Sequence, residues 1–93
     1  MHYAIIVENE ALEDLQNIYN YICEQDSKNK ARKFIFELQK KINSLSQMPQ
    51  RCRKSYYVDD EDTRDMIYKK YTIVFKIIQK NVHILTLFRQ RSF

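Results

Sequence analysis

The spacing of apolar residues changes at Pro49, and this change constrains the fold more than any other feature. Before Pro49, apolar residues recur at steps of three and four, as they do on one face of an α-helix. After it, the apolar residues form short runs rich in Val, Ile, Tyr and Phe, which is typical of β-strands. A block of helices followed by a block of strands indicates the α+β class.

The first part of the chain predicts two helices joined by a short connection. One covers residues 9–24, with Asn9 as its N-cap, and the other covers residues 27–47, with Asp26 and Ser27 as loop and cap residues. Pro49 stops the second helix. The two apolar stripes are Ala11, Leu12, Leu15, Ile18, Tyr19 and Ile22 in the first helix, and Ala31, Phe34, Ile35, Leu38, Ile42 and Leu45 in the second.

The remaining segments predict strands. Residues 3–7 read as a strand buried on both faces, and residues 50–63 as an irregular segment that could hold a short strand at 55–58. Three runs at 64–69, 71–78 and 82–88 predict an antiparallel β-meander, with a turn at 79–81 in which Asn81 takes a positive φ.

The predicted fold of residues 1–93 is one domain of order β-α-α-β-β-β. It has an N-terminal strand, a two-helix hairpin and a three-stranded antiparallel β-meander. The antiparallel sheet would have three or four strands, with both helices packed on one face. The other face is expected to be free and to carry much of the basic excess.

The net charge of +4 is unevenly distributed. Residues 1–46 carry six cations against seven carboxylates, whereas residues 47–93 carry ten against five. Such asymmetry suits an anionic partner, either a nucleic acid or an acidic protein segment. A basic surface that only keeps the protein soluble is the other interpretation.

Several classes of protein are disfavoured. No apolar run approaches the ~20 residues of a membrane helix, and the N-terminus lacks the features of a signal peptide, so a cytoplasmic location is expected. Cys23 and Cys52 are interpreted as ordinary thiols. No Cys or His pair has metal-ligand spacing, and no metal or cofactor is expected.

Four patterns occur together in this chain. The first combines Tyr3, Ile5, Ala11, Asp14-Leu15, Ile18 and Tyr21-Ile22, and the second runs from Ala31 and Phe34 through Leu38, Ile42 and Leu45. The third spans residues 64–75, and the fourth is strand 82–88 followed by Arg89-Gln90-Arg91. In this order and spacing they resemble the RelE/ParE toxin family over nearly the whole chain.

The resemblance implies a type II toxin that a small, partly disordered antitoxin holds inactive. RelE-like members cleave messenger RNA inside the ribosome, whereas ParE-like members poison DNA gyrase and are not known to be enzymes. RelE-like enzymes place an Arg in the strand where this chain has Thr72, and some end in a His or Tyr where this chain has Phe93. These departures favour a ParE-like toxin, although whether the chain is an enzyme stays open.

The candidate target-binding residues are basic. Arg89 and Arg91 project to one side of an extended strand, and Arg64 and Lys54 could join them. For a ribosome-dependent mRNA endonuclease, the resemblance and the need to stabilise phosphate charge suggest Arg64, Lys69, Arg89 and Arg91.

More ordinary roles are also open. His83 could be a base only on the open side of the sheet, and Arg64 could simply pair with Asp62. The acidic run 59–62 either solvates a loop or screens the basic patch. A third functional reading is a non-toxic relative that retains only antitoxin binding.

Overall fold

The computed structural model describes residues 2–89, and the predicted α+β order is confirmed. Strand β1 (Ala4–Val7) is followed by helices α1 (Asn9–Gln25) and α2 (Lys28–Asn43). Two short 3-10 turns follow, at Ser44–Ser46 and Pro49–Arg51. Four strands complete the fold, namely β2 (Arg53–Lys54), β3 (Thr63–Tyr68), β4 (Tyr71–Ile78) and β5 (Asn81–Arg89).

The five strands form one mixed sheet in the order β1-β5-β4-β3-β2. The β3-β4-β5 meander is antiparallel as predicted, but β1 pairs parallel to β5, with Ile5 opposite Val82. The expectation of a wholly antiparallel sheet was therefore wrong. Because β4 occupies one edge of β5, β1 joins the other edge and becomes an edge strand. Its burial on both faces was also wrong, since Ile6 is 38% exposed.

Both helices begin close to the predicted positions. Helix α1 is capped by the extended residue Glu8, and Asn9, which was predicted as the cap, is its first helical residue. The Ser27 side chain caps α2 as predicted and accepts a hydrogen bond from the Lys30 backbone N–H at 3.2 Å.

The second helix ends earlier than predicted. The α-helical hydrogen bonds of α2 stop at Asn43 rather than near residue 47, and a 3-10 turn takes over. Met48 then adopts a left-handed conformation (φ 51°) immediately before Pro49. The physical reason is that a proline inside a helix removes the hydrogen bond to the carbonyl four residues earlier and clashes with that carbonyl, so the α-helix must end before Pro49.

The main core lies between the helices and one face of the sheet. Helix α1 contributes Ala11, Leu15 and Ile18, and α2 contributes Ala31, Leu38 and Ile42. Most of these side chains form one apolar cluster with residues of the central strands, which are Tyr71, Ile73, Phe75, Val82, Ile84 and Leu87. Most of the predicted helical stripes therefore form the core, but the placement of Leu12 in the α1 stripe was wrong, since this residue is 51% exposed. Among residues 2–89, no helix is long and apolar enough to span a bilayer.

The opposite face of the sheet is also buried at its centre. Thr72 and Val74 alternate with the core residues of β4, yet their exposed fractions are 0% and 2%. They pair with Phe88 and Thr86 of β5, and the Tyr57 ring meets the Phe88 ring edge-on at 4.9 Å. The prediction of an open face was therefore wrong, because the irregular segment after β2 lies over it.

This face is not strongly basic either. Arg53 lies 3.6 Å from the buried Asp65 carboxylate and stacks on Tyr56, and Lys76 pairs with Asp60 at 2.8 Å. The lysine ammonium lowers the pKa of the Asp60 carboxyl, and hydrogen bonding to Asp60 raises the pKa of Lys76. The cations of this face are thus matched by carboxylates.

Two local predictions on the strands need correction. The short strand forms at Arg53–Lys54 rather than at 55–58, where the backbone bends without regular structure. In the β4–β5 turn, Gln79 takes the positive φ (56°), and Asn81 already belongs to β5. The chain contains no glycine, so left-handed turn positions fall to larger residues, including Lys69 in the β3–β4 turn (φ 56°).

Candidate functional site

The last part of β5 pairs with β4 on one edge, but on its other edge it lies beside α1 instead of a second strand. Strand β1 ends at Val7, so it pairs with β5 only as far as Ile84. Beyond that point the Asp14 carboxylate of α1 takes over, accepting the Thr86 hydroxyl at 2.7 Å and the Leu87 backbone N–H at 2.9 Å. A carboxylate thus satisfies a backbone donor at an open strand edge, and it fixes α1 against β5.

Arg89, at the end of β5, lies in the same region. One of its guanidinium nitrogens donates to the Tyr21 hydroxyl at 2.8 Å, and the group lies 5.5 Å from the centre of that ring. Two clefts of about 310 and 380 Å³ meet at Arg89, Tyr21 and Tyr71. We call these two clefts the Arg89 groove. The other lining residues are Asp14, Asn17, Ile18 and Leu87 in the first cleft, and Ile22, Gln25, Asp26, Phe34, Lys69 and Lys70 in the second.

The groove is largely aromatic and apolar at its base. Burial raises the pKa of the Tyr71 hydroxyl, and the charge of Arg89 opposes that shift only in part. The Tyr71 hydroxyl therefore stays protonated at neutral pH. An anionic or aromatic group of a partner would contact the Arg89 guanidinium, which lies against an aromatic ring. This arrangement suits binding more than proton transfer.

Lys69 borders the second cleft from the β3–β4 turn. Its ammonium lies 3.5 Å from the Glu37 carboxylate, and 5.6 and 5.4 Å from the centres of the Phe34 and Tyr68 rings. The Tyr68 hydroxyl also donates to Glu37 at 3.0 Å. That hydrogen bond, helped by Lys69, lowers the pKa of Glu37, so this carboxylate stays ionised.

Within residues 2–89, the fold brings the predicted basic residues together as two separate pairs. Lys54 lies opposite Arg64 in the pairing of β2 with β3. Lys69 and Arg89 line one cleft. Arg64 lies towards the other end of β3, where it donates to the Cys52 carbonyl at 2.7 Å rather than pairing with Asp62. Lys54 pairs with the exposed Glu61 at 2.8 Å. Arg91 lies outside the described residues.

The candidate acid–base groups are separated from these cations. His83 Nδ1 is 2.8 Å from the Glu8 carboxylate, at the start of α1. Thr72 occupies the strand position at which RelE-like enzymes have an arginine, and it is fully buried. No cluster of His, Cys, Asp and Glu within residues 2–89 could hold a metal ion.

Sequence reasoning missed the roles of Asp14 and Tyr21. Both residues belong to the first of the four sequence patterns, but the sequence assigned neither of them a partner. Both contact residues more than 60 positions away, on β5. No local signal in a single sequence reports such a contact. An exposed tyrosine beside an apolar stripe was the only available indication.

Two solved structures share this architecture. The chain superimposes with a TM-score of 0.83 on the chromosomal ParDE toxin–antitoxin system from P. aeruginosa, at 17% identity and over 97% of this chain and 98% of that one. For the toxin–antitoxin complex RelBE2 from Mycobacterium tuberculosis, the TM-score is 0.72 at 16% identity, over 99% and 95% of the two chains. The fold is therefore one found in toxin–antitoxin systems.

The family follows from sequence. The family model described as the ParE toxin of the type II toxin–antitoxin system parDE matches residues 5–92. The chain belongs to this ParE toxin family, and the predicted resemblance to ParE-like members is confirmed. A sequence comparison with curated proteins finds no significant match.

Proposed function

We propose that this toxin inhibits growth by binding DNA gyrase, and that a cognate antitoxin neutralises it. The proposal rests on one observation, which is that the basic residues of the groove lie apart from the candidate acid–base groups. Arg89 and Lys69 share a groove, whereas His83 is engaged by Glu8 and position 72 is a buried threonine. Cleavage of RNA through its 2′-hydroxyl needs a base close to the cations that stabilise the phosphate.

The proposed gyrase contact centres on Arg89. Its hydrogen bond to Tyr21 holds the guanidinium at the junction of the two clefts, so little side-chain freedom is lost on binding. Arg91 is proposed to extend this contact from the C-terminal end. Arg64 and Lys54 are engaged near the other end of β3, so they are subsidiary candidates.

The antitoxin partner is proposed because both similar structures come from toxin–antitoxin systems. Two surfaces could accept an extended, partly apolar segment. One is the Arg89 groove, and the other is the segment over the second sheet face, where Tyr56, Tyr57 and Val58 are 76%, 51% and 41% exposed. Burial of such side chains supplies affinity, and neighbouring cations speed the encounter with acidic segments.

A supercoiling assay with purified gyrase tests the target directly. Truncating a central interface arginine costs about 2 kcal/mol, so Arg89→Ala is expected to raise the toxin concentration for half-inhibition about thirtyfold. Lys80→Ala, an equal loss of charge in the β4–β5 turn, is the matched control. Antitoxin binding and unfolding of both variants are measured in parallel, and equal potency of the two would remove Arg89 from the contact.

The second candidate is a ribosome-dependent mRNA endonuclease. The shared cleft of Lys69 and Arg89 favours it, because two cations at one opening can contact a phosphate. Pulse labelling after induction separates the two targets. Loss of DNA synthesis first supports gyrase, whereas loss of protein synthesis within minutes, with 2′,3′-cyclic phosphate ends on cut messages, supports RNA cleavage. If neither synthesis falls, the chain is a non-toxic relative.

A further inference from the structure

The helical hairpin carries opposite charges on its two helices. Helix α1 has four carboxylates and no lysine or arginine, whereas α2 has six cations and one carboxylate, Glu37. The contrast does not appear in a charge count over residues 1–46, because that count adds both helices together. Since the helices pack side by side, one outer surface of the protein is acidic and the neighbouring one is basic.

The basic charge is concentrated where it faces solvent. Seven residues of α2 recur on the side opposite the core and are all exposed, and none of them is a carboxylate. We call them the α2 strip, which consists of Asn29, Arg32, Lys33, Phe36, Gln39, Lys40 and Asn43. The one carboxylate of α2 is turned away from the strip, because Glu37 bonds Tyr68 and Lys69 on the sheet side.

Helix stability accounts for only some of these cations. Lys40 and Lys41 lie in the last turn of α2, where positive charge favours the helix dipole. The first turn of α2 has no acidic residue and contains Lys28 and Lys30, where positive charge opposes the helix dipole. Only Lys30 has a carboxylate partner on the exposed surface, Asp26 at 3.0 Å. Within the described part of the chain, Arg32, Lys33 and Lys40 form no ion pair at all.

An exposed aromatic ring lies in the middle of the strip. Phe36 is 60% exposed, and the Lys40 ammonium lies 5.1 Å from the centre of its ring. Cations interleaved with amides and an aromatic ring are the side chains that contact phosphates, sugars and bases in nucleic-acid interfaces. The strip extends for about 21 Å at ~1.5 Å per residue. That length matches about six base pairs of duplex.

We propose that the α2 strip binds the phosphate backbone of a DNA duplex. This inference builds on the proposed gyrase target, since gyrase holds duplex DNA, and it adds a direct contact between the toxin and that DNA. The acidic outer side of α1, which carries Glu13 and Glu24, repels the same duplex. The charge contrast of the hairpin therefore sets the orientation of the toxin on DNA.

Binding of the purified toxin to a fluorescently labelled 30-base-pair duplex, followed by anisotropy over a range of salt concentrations, tests the proposal. The variant Lys33→Gln with Lys40→Gln removes two phosphate contacts. The slope of log affinity against log salt is then expected to become shallower by about 1.8. The matched control, Lys76→Gln with Lys80→Gln, loses the same charge on the sheet and should keep the original slope.

Three results would overturn the proposal. They are equal slopes for the two double variants, no duplex binding by the unaltered toxin at low salt, and tighter binding of an RNA duplex than of the DNA duplex. If the α2 strip contacts gyrase itself, Lys33→Gln with Lys40→Gln will weaken toxin binding to DNA-free gyrase and leave DNA binding unchanged. That result also counts against the DNA-binding proposal.

The same variants separate this inference from the proposed function. If the toxin inhibits gyrase but the α2 strip variant binds DNA normally, the gyrase target stands and the DNA contact fails. If the toxin binds DNA through α2 but leaves gyrase active, the DNA contact stands and the target fails.

Discussion

On one face of the sheet, Ile73 and Phe75 lie under two helices, whereas on the other face Thr72 and Val74 lie under a short irregular segment. All four side chains are almost completely buried. The helix side is a continuous apolar core. The other side is a thin layer in which one aromatic contact, Tyr57 on Phe88, and one buried carboxylate, Asp65, accompany the apolar residues.

This difference indicates how the two faces are stabilised. The helix face depends on the area of apolar surface that is removed from water. The opposite face depends on a few directional contacts, such as the hydrogen bond from the Tyr56 backbone N–H to Asp65 at 3.0 Å. Substitutions on the helix face should therefore cost more, and those on the other face should reveal individual contacts.

The largest effect is expected from Leu38→Ala. Leu38 is fully buried on α2, so the variant should lose about 2–5 kcal/mol of unfolding free energy through lost transfer energy and a cavity. Urea unfolding measures it. Leu12→Ala, at a leucine that is 51% exposed on α1, should cost much less. Similar costs at the two sites would contradict the assignment of the core to this face.

A smaller effect is expected at the aromatic contact of the other face. In a double-mutant cycle with Tyr57→Leu and Phe88→Leu, the coupling should be about 0.5–1.5 kcal/mol, as for an edge-to-face pair. Phe34 and Tyr71, whose ring centres are 5.4 Å apart on the helix face, form a comparison pair. A coupling near zero for Tyr57 and Phe88 would mean that the covering segment is not held by this contact.

The smallest effect, and the one of opposite sign, is expected at Thr72. Its hydroxyl is buried and has no hydrogen-bond partner among residues 2–89, so Thr72→Val should leave the unfolding free energy unchanged or raise it by up to about 1 kcal/mol. Thr63→Val is the control, because the Thr63 hydroxyl helps to lower the pKa of Asp60. A clear loss of stability in Thr72→Val would show that the hydroxyl is satisfied.

The helix face could be predicted because its signal is local. The recurrence of Ala31, Leu38 and Ile42 follows from helical geometry, and all three are buried. The limits of β4 were also predicted correctly, since every residue from Tyr71 to Ile78 except Lys76 is β-branched or aromatic.

The other face could not be predicted, because its contacts join distant parts of the chain. Nothing near Thr72 or Val74 shows that Tyr57 covers them. The parallel pairing of β1 was missed for the same reason. The candidate site was found only in part, since Arg89 was identified but its partner Tyr21 lies 68 positions earlier.

The pairing of β1 with β5 has a consequence for the time at which the Arg89 groove can form during synthesis. Glu8 and His83, which meet at the junction of these strands, are 75 positions apart. A ribosome adds about 5–20 residues per second, so several seconds pass between synthesis of the first strand and synthesis of its neighbour. During that interval α1 has no β5 to pack on, and the Arg89 groove does not exist. The surface on which the proposed contacts depend is therefore among the last parts of residues 2–89 to form during synthesis.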